Sequence, residues 1–205
     1  MSDYQPEDRT AKAIIRDTAL RVFGERGPAA ATLKVVADRA GVSQSLIIKH
    51  FASRDGLIAA VDEHVLGILS NSLRALAEAD AELPPAGYLA GASALSDPDT
   101  ARYLSYLLLE DSPRAATAYR RLHAHGTELM EKMRDAGAVA DDIDHGRLTA
   151  MLVAHGLSTV LLRDRLTEVL GDDPMSASGQ GAWWVLLDRL YSGDAIGSSV
   201  TRKEE

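Results

Sequence analysis

The chain has 205 residues, no cysteine and a formal net charge of −8. The missing cysteine excludes a disulfide framework, a thiolate metal site and a cysteine nucleophile. The polar, acidic start MSDYQPEDRT is not the pattern of a signal peptide, and no apolar run reaches bilayer-spanning length, so a cytoplasmic protein without membrane contact is expected.

Residues 1–9 form a polar lead. A first helix is expected from about Thr10 to Arg26, with Ile14, Ile15, Ala19, Val22, Phe23 and the methyl of Thr18 as its apolar stripe. Gly27-Pro28 stops it. The next stretch, Thr32 to Phe51, is the most informative. Thr32 can cap a short helix whose apolar face is Val36, Ala37 and Ala40. Gly41 sits where a helix end needs a left-handed residue. Ser43 is a second N-cap, ahead of Gln44 to Phe51. Two short helices joined by a Gly-containing turn read as a helix-turn-helix, whose second helix enters the DNA major groove. The face of that helix away from the core carries Gln44, Ser45, Leu46, Lys49 and His50. It is short and mostly polar, which suits approach to base edges.

Ser53 then caps a long helix running to about Glu82, with Leu57, Val61, Val65, Ile68, Leu69, Leu73 and Leu76 on its apolar side. Arg54 at its start can reach a phosphate. Leu83-Pro84-Pro85 is a break. Beyond it the pattern stays helical, with helices expected at roughly 86–95, 98–110, 113–136, 143–170 and 175–193. Asp97-Pro98, Ser112-Pro113 and Asp173-Pro174 mark helix starts, and Gly137 and Gly171 mark stops. The stretch 143–170 is apolar on most sides and is expected to be buried on all of them. Leu157 and Leu161 within it, with Trp183, Trp184 and Leu187 of the last helix, are the expected dimer contacts. The tail from Gly193 is short and Gly/Ser-rich.

Thr10 to about Ala60 resembles the N-terminal domain of the TetR (tetracycline-repressor-like) family of transcriptional regulators. The resemblance rests on Phe23, Gly27, Thr32, Val36-Ala37, Ala40-Gly41-Val42-Ser43, His50-Phe51 and Ser53-Arg54-Asp55, in register over about a quarter of the chain. Ile48 departs from the Tyr frequent in the family and has no hydroxyl for a phosphate. Leu46 stands where a small residue or Thr is common, and Arg54 replaces the frequent Lys. The resemblance implies an all-α fold: an N-terminal three-helix helix-turn-helix domain, residues 1–56, and a C-terminal helical ligand-binding and dimerisation domain, residues 57–205. It also implies a homodimer, a double-stranded DNA operator and a small-molecule effector.

Charge placement agrees. Residues 1–56 hold nine Lys/Arg and seven Asp/Glu, a net +2, against 13 and 23 in the remainder, a net −10. Local charge decides phosphate contact, so only the N-terminal end should meet DNA. The expected DNA-binding residues are Thr32, Lys34, Ser43, Gln44, Ser45, Leu46, Lys49, His50 and Arg54. His64, Tyr103, Tyr106, His123, Met151 and His155 are the expected lining of an apolar or weakly polar ligand pocket. No catalytic constellation, nucleotide-binding glycine pattern or zinc motif is present, so neither enzyme activity nor a cofactor is expected. Asp141, Asp142, Asp144 and His145 cluster at a helix start, where N-capping explains them more cheaply than a metal. The expected function is a ligand-responsive repressor. The rival is a helical ligand-binding or scaffold protein that keeps the fold without reading DNA, favoured by Ile48, Leu46 and the acidic total.

Overall fold

The computed structural model describes residues 6–78, 97–137 and 139–191. Among them are nine helices and no strand: α1 Pro6–Arg26, α2 Leu33–Ala40, α3 Gln44–Phe51, α4 Arg54–Glu78, α5 Pro98–Leu109, α6 Pro113–Asp135, α7 His145–Leu161, α8 Arg163–Leu170 and α9 Ala177–Tyr191. The helix expected at 86–95 and the tail from Gly193 lie outside the described residues. So do the side chains of Leu73, Leu76 and Trp184.

Two compact units are defined, one from residues 1–71 with 97–122, the other from 72–96 with 123–205. In the first, α1, α2 and α3 close around Ile15, Ala19, Val22, Phe23, Val36, Ala37, Ile47 and Phe51, all buried. Each fully buried Leu, Ile, Val or Phe side chain contributes about 1.5–3 kcal/mol to holding such a small core. Thr18 is buried with the stripe, as expected. Ile14 is not: it is half-exposed, because a helix packed on one side buries only part of an apolar arc this wide. Leu57, Val61 and Val65 of α4 extend the same core, and α5 packs along α1, where the Phe23 and Tyr103 rings stack at 6.0 Å.

The second unit has its own core. Leu129, Met130 and Met133 of α6 pack with Val139 and with Leu152 of α7. The expected single helix over 143–170 is broken at Leu162, so α7 and α8 are separate. Arg163, first in α8, is drawn to Asp173, its Nε and Nη2 donating to the two carboxylate oxygens at 3.0 and 2.6 Å. Burial on all sides also fails within one chain: Met151 and Leu161 on α7 and Leu162 at the break are half-exposed, and Val169 is largely exposed. Asp173 does not cap the last helix either, since its carboxylate also accepts from the Met175 N–H at 2.9 Å. Ser176 takes the cap, accepting from Gly179 N–H at 3.0 Å. The other two Pro-marked starts hold, with Asp97 accepting from Thr100 N–H and Ser112 from Ala115 N–H.

Candidate nucleic-acid interface

The helix-turn-helix is set by three local devices. Thr32 Oγ1 accepts from the Val35 N–H at 3.3 Å, starting α2. Gly41 ends it at φ +69°, and the Val42 N–H turns back to the Ala37 carbonyl at 3.0 Å. Ser43 Oγ accepts from the Leu46 N–H at 3.2 Å, starting α3, and shares a 2.8 Å hydrogen bond with Ser45 Oγ. Losing one such cap costs about 1 kcal/mol. Tertiary ties then fix the pair of helices on α1: Arg39 of α2 pairs with Glu25 at 2.6 Å, holding that carboxyl below its usual range, and Lys12 lies 5.6 Å over the Phe51 ring.

With Ile47 and Phe51 buried, α3 turns Gln44, Ser45, Ile48 and Lys49 outward, and Leu46 and His50 are half-buried beside them. Thr32, Lys34 and Ser43 are also exposed. Eight of the nine residues expected to face DNA therefore lie on or beside one two-helix segment. Arg54 differs. Its Nε donates to the Ala31 carbonyl at 3.2 Å and its Nη2 to the Pro28 carbonyl, so it braces the loop ahead of Thr32.

The corner after α3 was not foreseen. Ala52 has φ +64° and ψ −38°, and the Ser53 N–H donates across it to the Phe51 carbonyl at 2.8 Å. This is a three-residue γ-turn, a strained conformation for a residue with a Cβ. Ser53 Oγ accepts from the Gly56 N–H at 2.9 Å, the expected cap of α4. No sequence signal at Ala52 announces the turn; only the missing Cβ of Gly56, discussed below, hints at a close approach.

The residues expected to line a pocket are divided between the two units. On α5, Tyr103 is fully buried and its hydroxyl donates to Asp62 at 2.6 Å, whereas Tyr106 is partly exposed beside Gly27. Burial pushes the Tyr103 phenol far above its ordinary range, so it remains a donor at any physiological pH. His64 Nε2 lies 3.6 Å from Asp17, and burial with the nearby Arg16 holds the ring below its ordinary value and hence neutral near pH 7. His123, Met151 and His155 belong to the second unit. There His123 Nε2 is 2.9 Å from the Gly146 carbonyl, Met151 is half-exposed and His155 half-buried. Asp62, which sequence reading missed, joins the helices: it lies four residues from Ile58 and from Leu66, on the buried stripe of α4, and that register was the available signal. Asp144 accepts from the Arg147 N–H at 3.0 Å and caps α7, and among the described residues no group of three or more His, Asp or Glu could hold a metal.

An all-α chain that presents a capped, solvent-facing second helix from a three-helix unit is built as a helix-turn-helix regulator. Residues 15–61 match the family described as bacterial regulatory proteins, tetR family. The chain is 38% identical over 68 residues to the HTH-type transcriptional repressor Rv3405c of Mycobacterium tuberculosis, a match covering 33% of this chain and 36% of that relative. The chain thus aligns with about a third of that curated relative's length. Its fold is shared with FadR, a fatty acid degradation regulator from Bacillus halodurans, at 14% identity and a TM-score of 0.71 over 96% of this chain and 98% of that one. It is shared also with SmeT, the repressor of the Stenotrophomonas maltophilia efflux pump SmeDEF, at 19% identity and a TM-score of 0.64 over 88% and 89%. The chain belongs to the TetR family of transcriptional regulators.

Proposed function

We propose that the chain is a homodimeric, ligand-responsive repressor that binds a near-palindromic operator and is released by a small apolar or weakly polar effector. The observation that carries this reading is the outward face of α3, polar at Gln44, Ser45 and Lys49 and locked in angle by Ile47 and Phe51 behind it. Gln44 pairs with an adenine edge and Leu46 meets a thymine methyl, while Ser43 and Ser45 permit close approach. Thr32, Lys34, Lys49 and His50 hold phosphates and set register. Arg54 serves them through the loop it braces. Residues 1–56 are the DNA-binding domain in this reading, α4 the link, and 57–205 the ligand-binding and dimerisation domain. A repressor's name on one relative and a solved triclosan complex of SmeT support a ligand-released repressor by analogy. The effector can shift DNA binding only by the difference in its affinity for the two states.

The test is selection of bound fragments from the source genome by the purified protein, with Gln44→Ala and Lys49→Ala alongside. Near-palindromic sites are expected. Gln44→Ala should lose about 1–3 kcal/mol at the selected site and relax preference at one base step. Lys49→Ala should instead weaken all sequences alike and flatten the salt dependence by about one unit of slope. Equal loss for Gln44→Ala on every sequence would remove it from base reading. Exposed, apolar Ile48 at the centre of the face favours the rival reading, a fold that no longer reads sequence. Salt-insensitive binding with no enriched fragment would select that rival.

For the dimer, the support is the apolar surface left on the second unit: Leu161 and Leu162 near the end of α7, and Val185, Leu186 and Leu190 on α9, are 42–60% exposed. Leu157 and Trp183 are half-buried, and Leu187 points into its own unit at 6% exposure. Exposed α9 residues therefore replace Leu187 as the proposed contacts. Sedimentation equilibrium at micromolar concentration should give the mass of two chains, and Leu186→Glu the mass of one. A single-chain mass for the unaltered protein would eliminate the dimer.

A further inference from the structure

A groove of about 730 Å³ opens on the first unit, inside the size range of small-molecule sites. Its walls come from the end of α1 and the following loop (Arg26, Pro28), the first turns of α4 (Arg54, Ile58) and the second half of α5 (Tyr106, Leu109). The apolar wall is open to solvent, with Leu109 70% and Tyr106 44% exposed. The charges around it are not balanced locally. Glu110 on the rim is bonded to Arg114, and Asp55 stands 94% exposed. Arg54, by contrast, bonds only to the neutral carbonyls of Ala31 and Pro28, and its nearest carboxylate oxygen is 4.0 Å away. Its guanidinium is thus a fixed positive charge with no hydrogen-bonded counter-ion. Arg26 is exposed on the same rim and makes no ion pair among the described residues. The positive end of the α4 dipole lies beside both.

We propose that this groove binds a small aromatic carboxylate. The ring lies against Tyr106, Ile58 and Leu109, and the carboxylate meets Arg26 and Nη1 of Arg54, in place of the 94% exposed Asp55 carboxylate that stands 4.0 Å from that nitrogen. Aromatic stacking and a charge-assisted, pre-oriented guanidinium are the two contacts that select this class over a neutral aromatic or an aliphatic acid. The site is separate from the effector question above and does not depend on DNA binding, because binding is read directly.

The probe is 2-naphthoate, titrated by its own fluorescence into the full chain, with neutral 2-naphthylmethanol as comparison. Saturable binding of 2-naphthoate is expected, about tenfold or more tighter than the alcohol. Arg26→Glu should weaken naphthoate by about tenfold and leave the alcohol unchanged. Ala59→Trp, which fills the groove from exposed α4 surface, should abolish both. Lys132→Glu, an equal change of net charge on the exposed surface of α6, should change neither. No saturable binding at millimolar probe, equal affinity for the alcohol, an unchanged affinity in Ala59→Trp, or equal losses in Arg26→Glu and Lys132→Glu would each overturn the proposal.

Discussion

Gly56→Ala should destabilise the helix-turn-helix unit by about 3 kcal/mol or more, among the larger effects available to a single added methyl. A Cβ at position 56 would stand 1.9 Å from the Phe51 carbonyl oxygen, far inside contact distance, and that oxygen cannot simply move. It already accepts from the Ser53 N–H across the strained turn at Ala52, and the Ser53 side chain holds the Gly56 N–H from the other side. The clash is therefore backbone against backbone, and relief means re-angling α3 on α4. Ala52→Gly, four residues away, should act in the opposite direction. It removes the Cβ penalty at φ +64° and gains about 0.5–1 kcal/mol after the entropy cost of glycine. Urea denaturation followed by far-ultraviolet circular dichroism reads both. Opposite shifts of the midpoint, with the larger loss at Gly56, are expected. A Gly56→Ala midpoint near the unaltered protein's would mean the corner re-forms freely. Operator affinity adds a second reading, because Gly56→Ala should also fall in affinity under conditions where it is fully folded.

This corner marks the boundary of what the sequence could tell. Caps are legible because they are local: Thr32, Ser43, Ser53, Asp97, Ser112 and Asp144 each hold the backbone N–H three residues on, and Gly27, Gly41, Gly137 and Gly171 all sit at positive φ. The outward face of α3 was legible for a similar reason, since an eight-residue helix with Ile47 and Phe51 inside has few other faces to offer. Tertiary choices were not legible. Nothing near residue 162 says that Arg163 will turn to Asp173, or that Asp173, thus occupied, will leave the cap of the next helix to Ser176. Charge at a helix start suits a phosphate, yet two carbonyls of a loop 23 and 26 residues earlier hold Arg54. Chemical type does not report direction: Tyr103 and Tyr106, less than a turn apart, face a buried carboxylate and an open groove.

Asp62→Ala should destabilise the chain by about 1–3 kcal/mol, the cost of leaving the buried Tyr103 hydroxyl without its acceptor. Asp62 is 8% exposed on α4 and receives the Tyr103 hydroxyl of α5 at 2.6 Å and Arg114 Nη1 of α6 at 3.2 and 3.3 Å. Three helices meet on this one carboxylate, so its loss strands the Tyr103 phenol and leaves Arg114 with Glu110 alone. Asp62→Asn keeps an acceptor for Tyr103 and should cost less, and Tyr103→Phe, which keeps the stack on Phe23, should cost about 1–2 kcal/mol. The pH dependence separates charge from shape. Burial is the largest influence on Asp62 and raises its carboxyl above the ordinary value of 3.8, with Tyr103 and Arg114 pulling the other way. An acid whose folded value is raised holds its proton longer in the folded chain than in the unfolded one. Its contribution is therefore greatest at low pH and is lost as pH rises from the unfolded value through the folded one. The stability gap between the unaltered protein and Asp62→Asn should then shrink as pH rises through that window, while effects shared with every other carboxylate cancel in the difference. A gap that widens with pH would mean that the ion pair with Arg114 outweighs burial. Asp62 would then act as the counter-ion that holds α6 to α4, and Arg114→Met would cost as much as Asp62→Ala.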